Sequence, residues 1–241
     1  ENNLLITNGA TVALSLLFHY ISVKHPEPFS ALAFSPVYES YRNLPSFHGK
    51  QFVEYFFDAQ NGIDLVDFEL RIKTENVKVV FMGSPGNPFG YVFPNDMLVA
   101  VHDICERNHC YLIFDAVYQE LYFEKIPPFP ISALSPYLFF VDSFSKLFSI
   151  TGWRIGFFFA HESHMPAIRN IHDYTGLCSP SILQESLSRY IEQTNFGQEY
   201  VDNLRIQLTE NYAKISKSLL ELHFKIPEAK GGYFVWAELP D

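Results

Sequence analysis

The sequence predicts an α/β fold built on a mostly parallel sheet, with a site along one edge of that sheet. Three observations carry the prediction. Short, continuous apolar runs such as Val77 to Met82 and Tyr111 to Phe114 alternate with stretches of helical periodicity. The runs end in polar residues, glycine or proline, which puts ligand-reading groups at strand carboxyl ends. With 241 residues, 48% of them hydrophobic and 18% charged, the chain can bury a sizeable core.

Taken in order, Asn3 to Thr7 reads as a short strand, and Asn8-Gly9-Ala10-Thr11 turns it into a helix with Leu14, Leu17 and Ile21 on its apolar side. Strand, glycine and helix in succession aim free backbone N–H groups at an anion, although an ordinary strand-to-helix turn shares the pattern. Ala31 to Ser35 is a second strand closed by Pro36, and Val37-Tyr38-Glu39-Ser40-Tyr41 begins the next helix. Tyr38, just past a strand end, can lie flat on an aromatic ligand or simply be half-buried. Phe52 to Phe57 is a third strand, Asn61-Gly62 a turn, and Leu65 to Ile72 a helix.

Val77 to Met82 runs into Gly83-Ser-Pro-Gly-Asn87-Pro88-Phe-Gly90, whose two prolines and three glycines continue neither a ladder nor a helix. This is a shaped loop at a strand's carboxyl end. It has neither the Gly-Lys-Ser/Thr ending of a nucleotide P-loop nor the G-x-G-x-x-G order of a dinucleotide turn. Pro94 opens a helix to about Asn108, with Met97, Leu98, Val101, Ile104 and Cys105 on one face. His102, Cys105, His109 and Cys110 invite a zinc reading, but their spacing matches neither a Cys-x-x-Cys nor a His-x-x-x-His pair, and Cys105 falls on the apolar face.

Tyr111 to Phe114 is a buried strand that delivers Asp115, with Tyr118 three residues on. A carboxylate there is costly to bury unless a cation meets it. Glu124 to Pro130, with three prolines, reads as a surface loop. Tyr137 to Val141 is another buried strand, and its end presents Ser143, Ser145 and Lys146. Arg154 follows eight residues after Lys146, behind a Gly152 that allows a tight turn, and Gly156 to Ala160 is one more strand. A guanidinium fork and two serine hydroxyls suit a phosphate, and a deprotonated lysine amine suits a carbonyl carbon. The ligand with both a phosphate and an aldehyde is pyridoxal 5'-phosphate.

From Met165 the pattern is helical: Met165 to about Tyr174, Ser181 to Gln193 after Pro180, and Gln198 to Leu222. Phe224 to Leu239, containing Gly231-Gly232, reads as strands of a second layer that has only begun. The 27 acidic against 17 basic residues, net −10, argue against a nucleic-acid partner. Three cysteines form no disulfide framework, no leader precedes Glu1 and the apolar runs are too short to span a bilayer, so a cytoplasmic protein with no membrane partner is expected.

Four ordered motifs resemble those of the class I/II, fold-type I, pyridoxal-phosphate aminotransferases. They are Ser84-Pro-Gly-Asn87-Pro88-Phe-Gly90, Asp115-Ala-Val-Tyr118, Ser143-Phe-Ser-Lys146 and Gly152-Trp-Arg154-Ile-Gly156, with Phe89 where threonine is usual. The resemblance covers nearly the whole chain. It implies a three-layer α/β/α large domain over residues 1–222, and the beginning of a small C-terminal domain over 223–241. It implies that Lys146 carries the cofactor as an aldimine and then moves a proton as base and acid, and that Asp115 keeps the pyridine nitrogen protonated. Asn87 and Tyr118 are implied to bond the ring's 3-oxygen, Tyr38 to stack on the ring, and Ala10, Thr11, Ser143, Ser145 and Arg154 to hold the phosphate.

The implied reaction exchanges an amino group between an L-amino acid and a 2-oxo acid in a homodimer. Family members also have a segment before the first strand and an arginine that grips the substrate carboxylate. None of the seven arginines here sits in a matching motif, so the chain is expected to be the cofactor domain of a longer enzyme, slow or inactive alone. A cofactor-binding sensor or scaffold without turnover, and a lyase or synthase on the same fold, remain as alternatives.

Overall fold

Strands that are apolar without alternation need cover on both faces, and this chain supplies it. The computed structural model describes residues 2–124, 129–130 and 134–240. In chain order they form β1 (Leu4–Thr7), α1 (Ala10–Lys24), β2 (Ser30–Ser35), α2 (Glu39–Phe47), β3 (Gln51–Phe56), α3 (Leu65–Thr74), β4 (Val77–Gly83) and α4 (Asn95–Arg107). There follow β5 (Tyr111–Asp115), β6 (Leu138–Ser143), the short α5 (Phe144–Leu147), a 3-10 turn at Thr151–Trp153 and β7 (Gly156–Phe159). The helices α6 (Met165–Thr175), α7 (Ser181–Gln193) and α8 (Gln198–Glu221) close the series.

The sheet has seven strands in the order β1-β7-β6-β5-β4-β2-β3. Successive side chains of a strand point to opposite faces. Thus Val79 and Phe81 of β4 pack with α1, α2 and α6, while Val80 and Met82 pack with α3 and α4. The result is the three-layer α/β/α arrangement. Phenylalanine fills much of it: Phe18, Phe81, Phe114, Phe139 and Phe158 are fully buried, each contributing about 1.5–3 kcal/mol by leaving water. A third apolar cluster, around Phe148, Ile155, Leu187 and Val201, joins α7 and α8 to the loop after α5.

Two features of the topology place the site. The chain passes from β2 outward to β3, then back across β2 to β4, so strand order reverses between β2 and β4. Ligands in open α/β sheets bind at the strand carboxyl ends beside such a reversal. Among the described residues, β7 is the one reversed strand, antiparallel to both β1 and β6, with Gly156 opposite both Thr7 and Ser143. The amino end of β7 is therefore brought beside the carboxyl ends of β1 and β6.

Two expectations are corrected. Phe224 to Leu239 forms no ladder; the described residues there make only isolated bridges, Tyr122 to Gly231 and Lys225 to Glu238. Pro227 has no N–H to give, and the Lys230 and Gly232 amides bond instead to the carbonyls of Gly90 (2.9 Å) and Leu121 (2.7 Å) in neighbouring loops. In the expected surface loop, residues 125–128 lie outside the described residues, and Phe129 packs on Phe114 with ring centroids 4.2 Å apart. An apolar ring in that loop found the core edge.

Candidate active site

At the start of α1, Gly9 has φ +83° and ψ 165°, a region that side chains disfavour, and the helix opens without a side-chain cap. The first-turn amides of Ala10 and Thr11 thus have no intrahelical acceptor. A Cβ on Gly9 would lie 2.5 Å from an Arg154 guanidinium nitrogen, and one on Gly156 would lie 2.5 Å from the Ala10 nitrogen. Bare glycines at both positions let the guanidinium close on the helix start. Arg154 donates to the carbonyls of Thr151 and Asn8, each at 3.2 Å. The tight turn was expected at Gly152; the left-handed residue is Arg154 itself, at φ 56° and ψ 48°. Rotating the backbone there turns the guanidinium back toward α1.

The strand expected over Tyr137 to Val141 runs Leu138–Ser143, and Ser145 and Lys146 ride on α5. Ser143 caps that helix, its hydroxyl accepting from the Ser145 amide at 3.2 Å. The Ser145 hydroxyl is buried without a partner among the described residues. Lys146 is half-buried, and among the described residues no ion pair holds its amine. Its carbonyl accepts from the Tyr233 hydroxyl at 2.6 Å.

Asp115 closes β5, opposite Gly83 of β4 and Val141 of β6. It is buried, accepting from the Tyr41 hydroxyl at 2.7 Å and the Val117 amide at 3.2 Å. Burial pushes its carboxyl above the usual range, against the opposing pull of those two donors. Tyr118 packs edge-on against Tyr233 and Phe234, and burial first, then the nearby Asp115 charge, raises its phenol. Asn87 stands in the loop after β4, which is closed by the Gly90 amide on the Gly86 carbonyl at 2.7 Å. Tyr38 precedes α2, its ring edge-on to Tyr41 at 5.4 Å.

All ten residues singled out from sequence line one cleft of about 290 Å³, near the lower end for small-molecule sites. Tyr41, Thr151 and Phe234 line it too and were not singled out. A signal for Tyr41 existed, since three residues after Tyr38 on a helix shares its face. Phe234 offered no local signal; it reaches the cleft only because Gly231 and Gly232 are stitched to the loop after β5. Cys105 and Cys110 are buried in the core, and among the described residues no three His, Cys, Asp or Glu side chains are grouped to hold a metal. No helix of the described residues is long and apolar enough to cross a membrane.

A family model described as "Aminotransferase class I and II" matches residues 1–241. The chain belongs to that family. Class I and II aminotransferases use pyridoxal phosphate. Among similar proteins, the putative aminotransferase YugH of Bacillus subtilis is 26% identical over 99% of this chain and 61% of its own length. Kynurenine–oxoglutarate transaminase 1 of Rattus norvegicus is 27% identical over 99% of this chain and 60% of its own. The chain thus spans about three-fifths of the length of these relatives. Among solved structures, an aromatic aminotransferase from Pyrococcus horikoshii superposes with TM-score 0.88 at 19% identity, covering 98% of this chain and 63% of that one. A Thermus thermophilus aspartate aminotransferase variant gives TM-score 0.86 at 22% identity, over 98% and 61%. These likenesses establish the fold.

The aminotransferase cofactor fits the groups present. Asp115 is a buried carboxylate with two neutral donors and no ion pair among the described residues, as a ring that brings its own cation requires. The unpartnered Ser145 hydroxyl and the open α1 amides beside Arg154 suit a phosphate.

Proposed function

We propose that this chain holds pyridoxal 5'-phosphate and exchanges an amino group between an L-amino acid and a 2-oxo acid. One observation carries the reading: Lys146, Asp115 and Arg154 line the same cleft, each suited to a different part of that one molecule. When bound, pyridoxal phosphate supplies an aldehyde and a cationic ring that withdraws electrons from the substrate's Cα.

The chain's own residues do the rest. The Lys146 amine would hold the aldehyde carbon of that group and, as base and then acid, would take and return the proton at the substrate's Cα. Asp115 holds a proton on the ring nitrogen. Asn87 and Tyr118 bond the 3-oxygen, and Tyr38 covers a ring face. The Ala10 and Thr11 amides, Ser143, Ser145 and Arg154 bind the phosphate. Residues 1–222 act as the cofactor-binding large domain and 223–241 as the start of a small domain, a division supported by the absence of sheet pairing with the main sheet after α8 among the described residues. A cytoplasmic homodimer completes the proposal; three unpaired cysteines support a reducing compartment.

The test is a visible spectrum of the purified chain with added pyridoxal phosphate, alongside Lys146→Ala. A band in the parent that is missing from the variant supports the assignment, and the same band in both removes Lys146 from it. Amino transfer from a panel of amino acids to 2-oxo acids then tests the reaction.

A further inference from the structure

Asp115 is not oriented by its own strand alone. Tyr41, on α2, is 6% exposed, and its ring is held between two others: parallel to Phe81 at 4.9 Å and 3°, and edge-on to Tyr38 at 5.4 Å and 89°. A phenol confined in this way has one place to put its hydroxyl proton, the Oδ2 of Asp115 at 2.7 Å. The other carboxylate oxygen accepts from the Val117 amide at 3.2 Å. An ionised carboxylate has about four lone-pair sites, and these two bonds occupy two of them. The rest are available to a ligand in the cleft that Asp115 and Tyr41 both line.

From this geometry we infer that Tyr41 is a positioning residue: it sets the plane and the charge of the Asp115 carboxylate for the cationic nitrogen of a heteroaromatic ligand. The inference rests on the cofactor reading above and adds a residue to it. Two neutral donors from two different elements fix the carboxylate's orientation better than one. A phenol that donates to a carboxylate also favours its charged form, opposing the cost of burial. The titratable groups beside Asp115 are Tyr41 from α2 and Tyr118 from the following loop, Asp142 of β6 is close enough to feel its charge, and Lys146 and Arg154 line the same cleft. Tyr118 and Asp142 supply no cation, so the Tyr41 bond has no substitute on that side.

A packing role and a positioning role predict different results when the ligand is changed. Pyridoxal phosphate and an analogue with C–H in place of the ring nitrogen are titrated into the full chain, Tyr41→Phe, Asp115→Asn and the double variant. Binding is followed by fluorescence quenching and visible absorption, and thermal unfolding reports the fold. Phenylalanine keeps the ring between Phe81 and Tyr38 and removes only the hydroxyl. Tyr41→Phe is expected to weaken pyridoxal phosphate about tenfold or more, the worth of a hydrogen bond to a charged group, and to change the analogue by less than about twofold. In the Asp115→Asn background the same substitution is expected to change pyridoxal phosphate by less than about twofold. Equal weakening of both ligands, or an undiminished effect without the carboxylate, overturns the inference. If the parent shows no Lys146-dependent band, the cofactor reading itself fails, a result distinct from a parent that loads normally and a Tyr41→Phe that loads equally well.

Discussion

Replacing Gly9 by alanine separates the fold's tolerance from the site's. The residue sits at φ +83° and ψ 165°, and a Cβ there would meet the Arg154 guanidinium at 2.5 Å. The backbone strain costs about 1–3 kcal/mol, a fall in Tm of roughly 2–12 °C for a chain of this size. The clash itself is relieved cheaply, because the guanidinium is the far end of a flexible side chain and swings outward. That movement takes it from the α1 amides. Losing a charge-assisted bond of about 1.5–3 kcal/mol weakens phosphate binding about 10- to 150-fold. The assay is titration with pyridoxal phosphate and with inorganic phosphate, for Gly9→Ala, Arg154→Ala and the double variant. The binding losses should not add: in the Arg154→Ala background, Gly9→Ala should cost Tm but little further affinity. Additive losses in affinity, or a Gly9→Ala chain that binds phosphate like the parent, would refute the placement of the guanidinium against Gly9.

Two further outcomes follow from the packing. Gly231→Ala places a Cβ against the Leu121 carbonyl and 2.8 Å from Pro85, neither of which can swing away. It should cost about 1–3 kcal/mol by overpacking and weaken cofactor binding as well, since those loops carry Tyr118 and Asn87; thermal unfolding and cofactor titration check both. His164 is buried, with the Tyr20 hydroxyl 2.8 Å from Nδ1 and the Pro136 carbonyl 2.7 Å from Nε2. The carbonyl only accepts, so Nε2 carries the proton and Nδ1 accepts from Tyr20. Burial holds this imidazole below its ordinary range, so the unfolded chain binds its proton first as pH falls. Its contribution to stability is full above about pH 6.5 and is lost as pH drops below that value. Urea midpoints between pH 7.5 and 5.5 should fall less steeply for His164→Gln; parallel curves would exclude His164 as a source of the slope.

Much of this molecule could be read residue by residue. Strands such as Val77 to Met82 announce themselves because a sheet covered on both faces needs apolar side chains at every position, not at alternate ones. The residues that line the cleft could be picked out because each follows a strand end in the chain: Asn87 after β4, Asp115 at the end of β5, Lys146 after β6. Phe224 to Leu239 misled for the complementary reason. Its side chains suit a strand, but the amides at its middle, Lys230 and Gly232, are engaged by the loops at Gly90 and Leu121.

Local chemistry, then, determined which segments are strands and helices and which side chains stand at their ends, because periodicity, glycine and proline act within a few residues. Only the folded chain decided the company those side chains keep. Strand order places the start of β7 between the ends of β1 and β6, and so sets Arg154 against the opening of α1. Helix packing brings the Tyr41 hydroxyl to a carboxylate 74 residues away. Such contacts depend on which surfaces meet after burial, and sequence spacing carries no record of that.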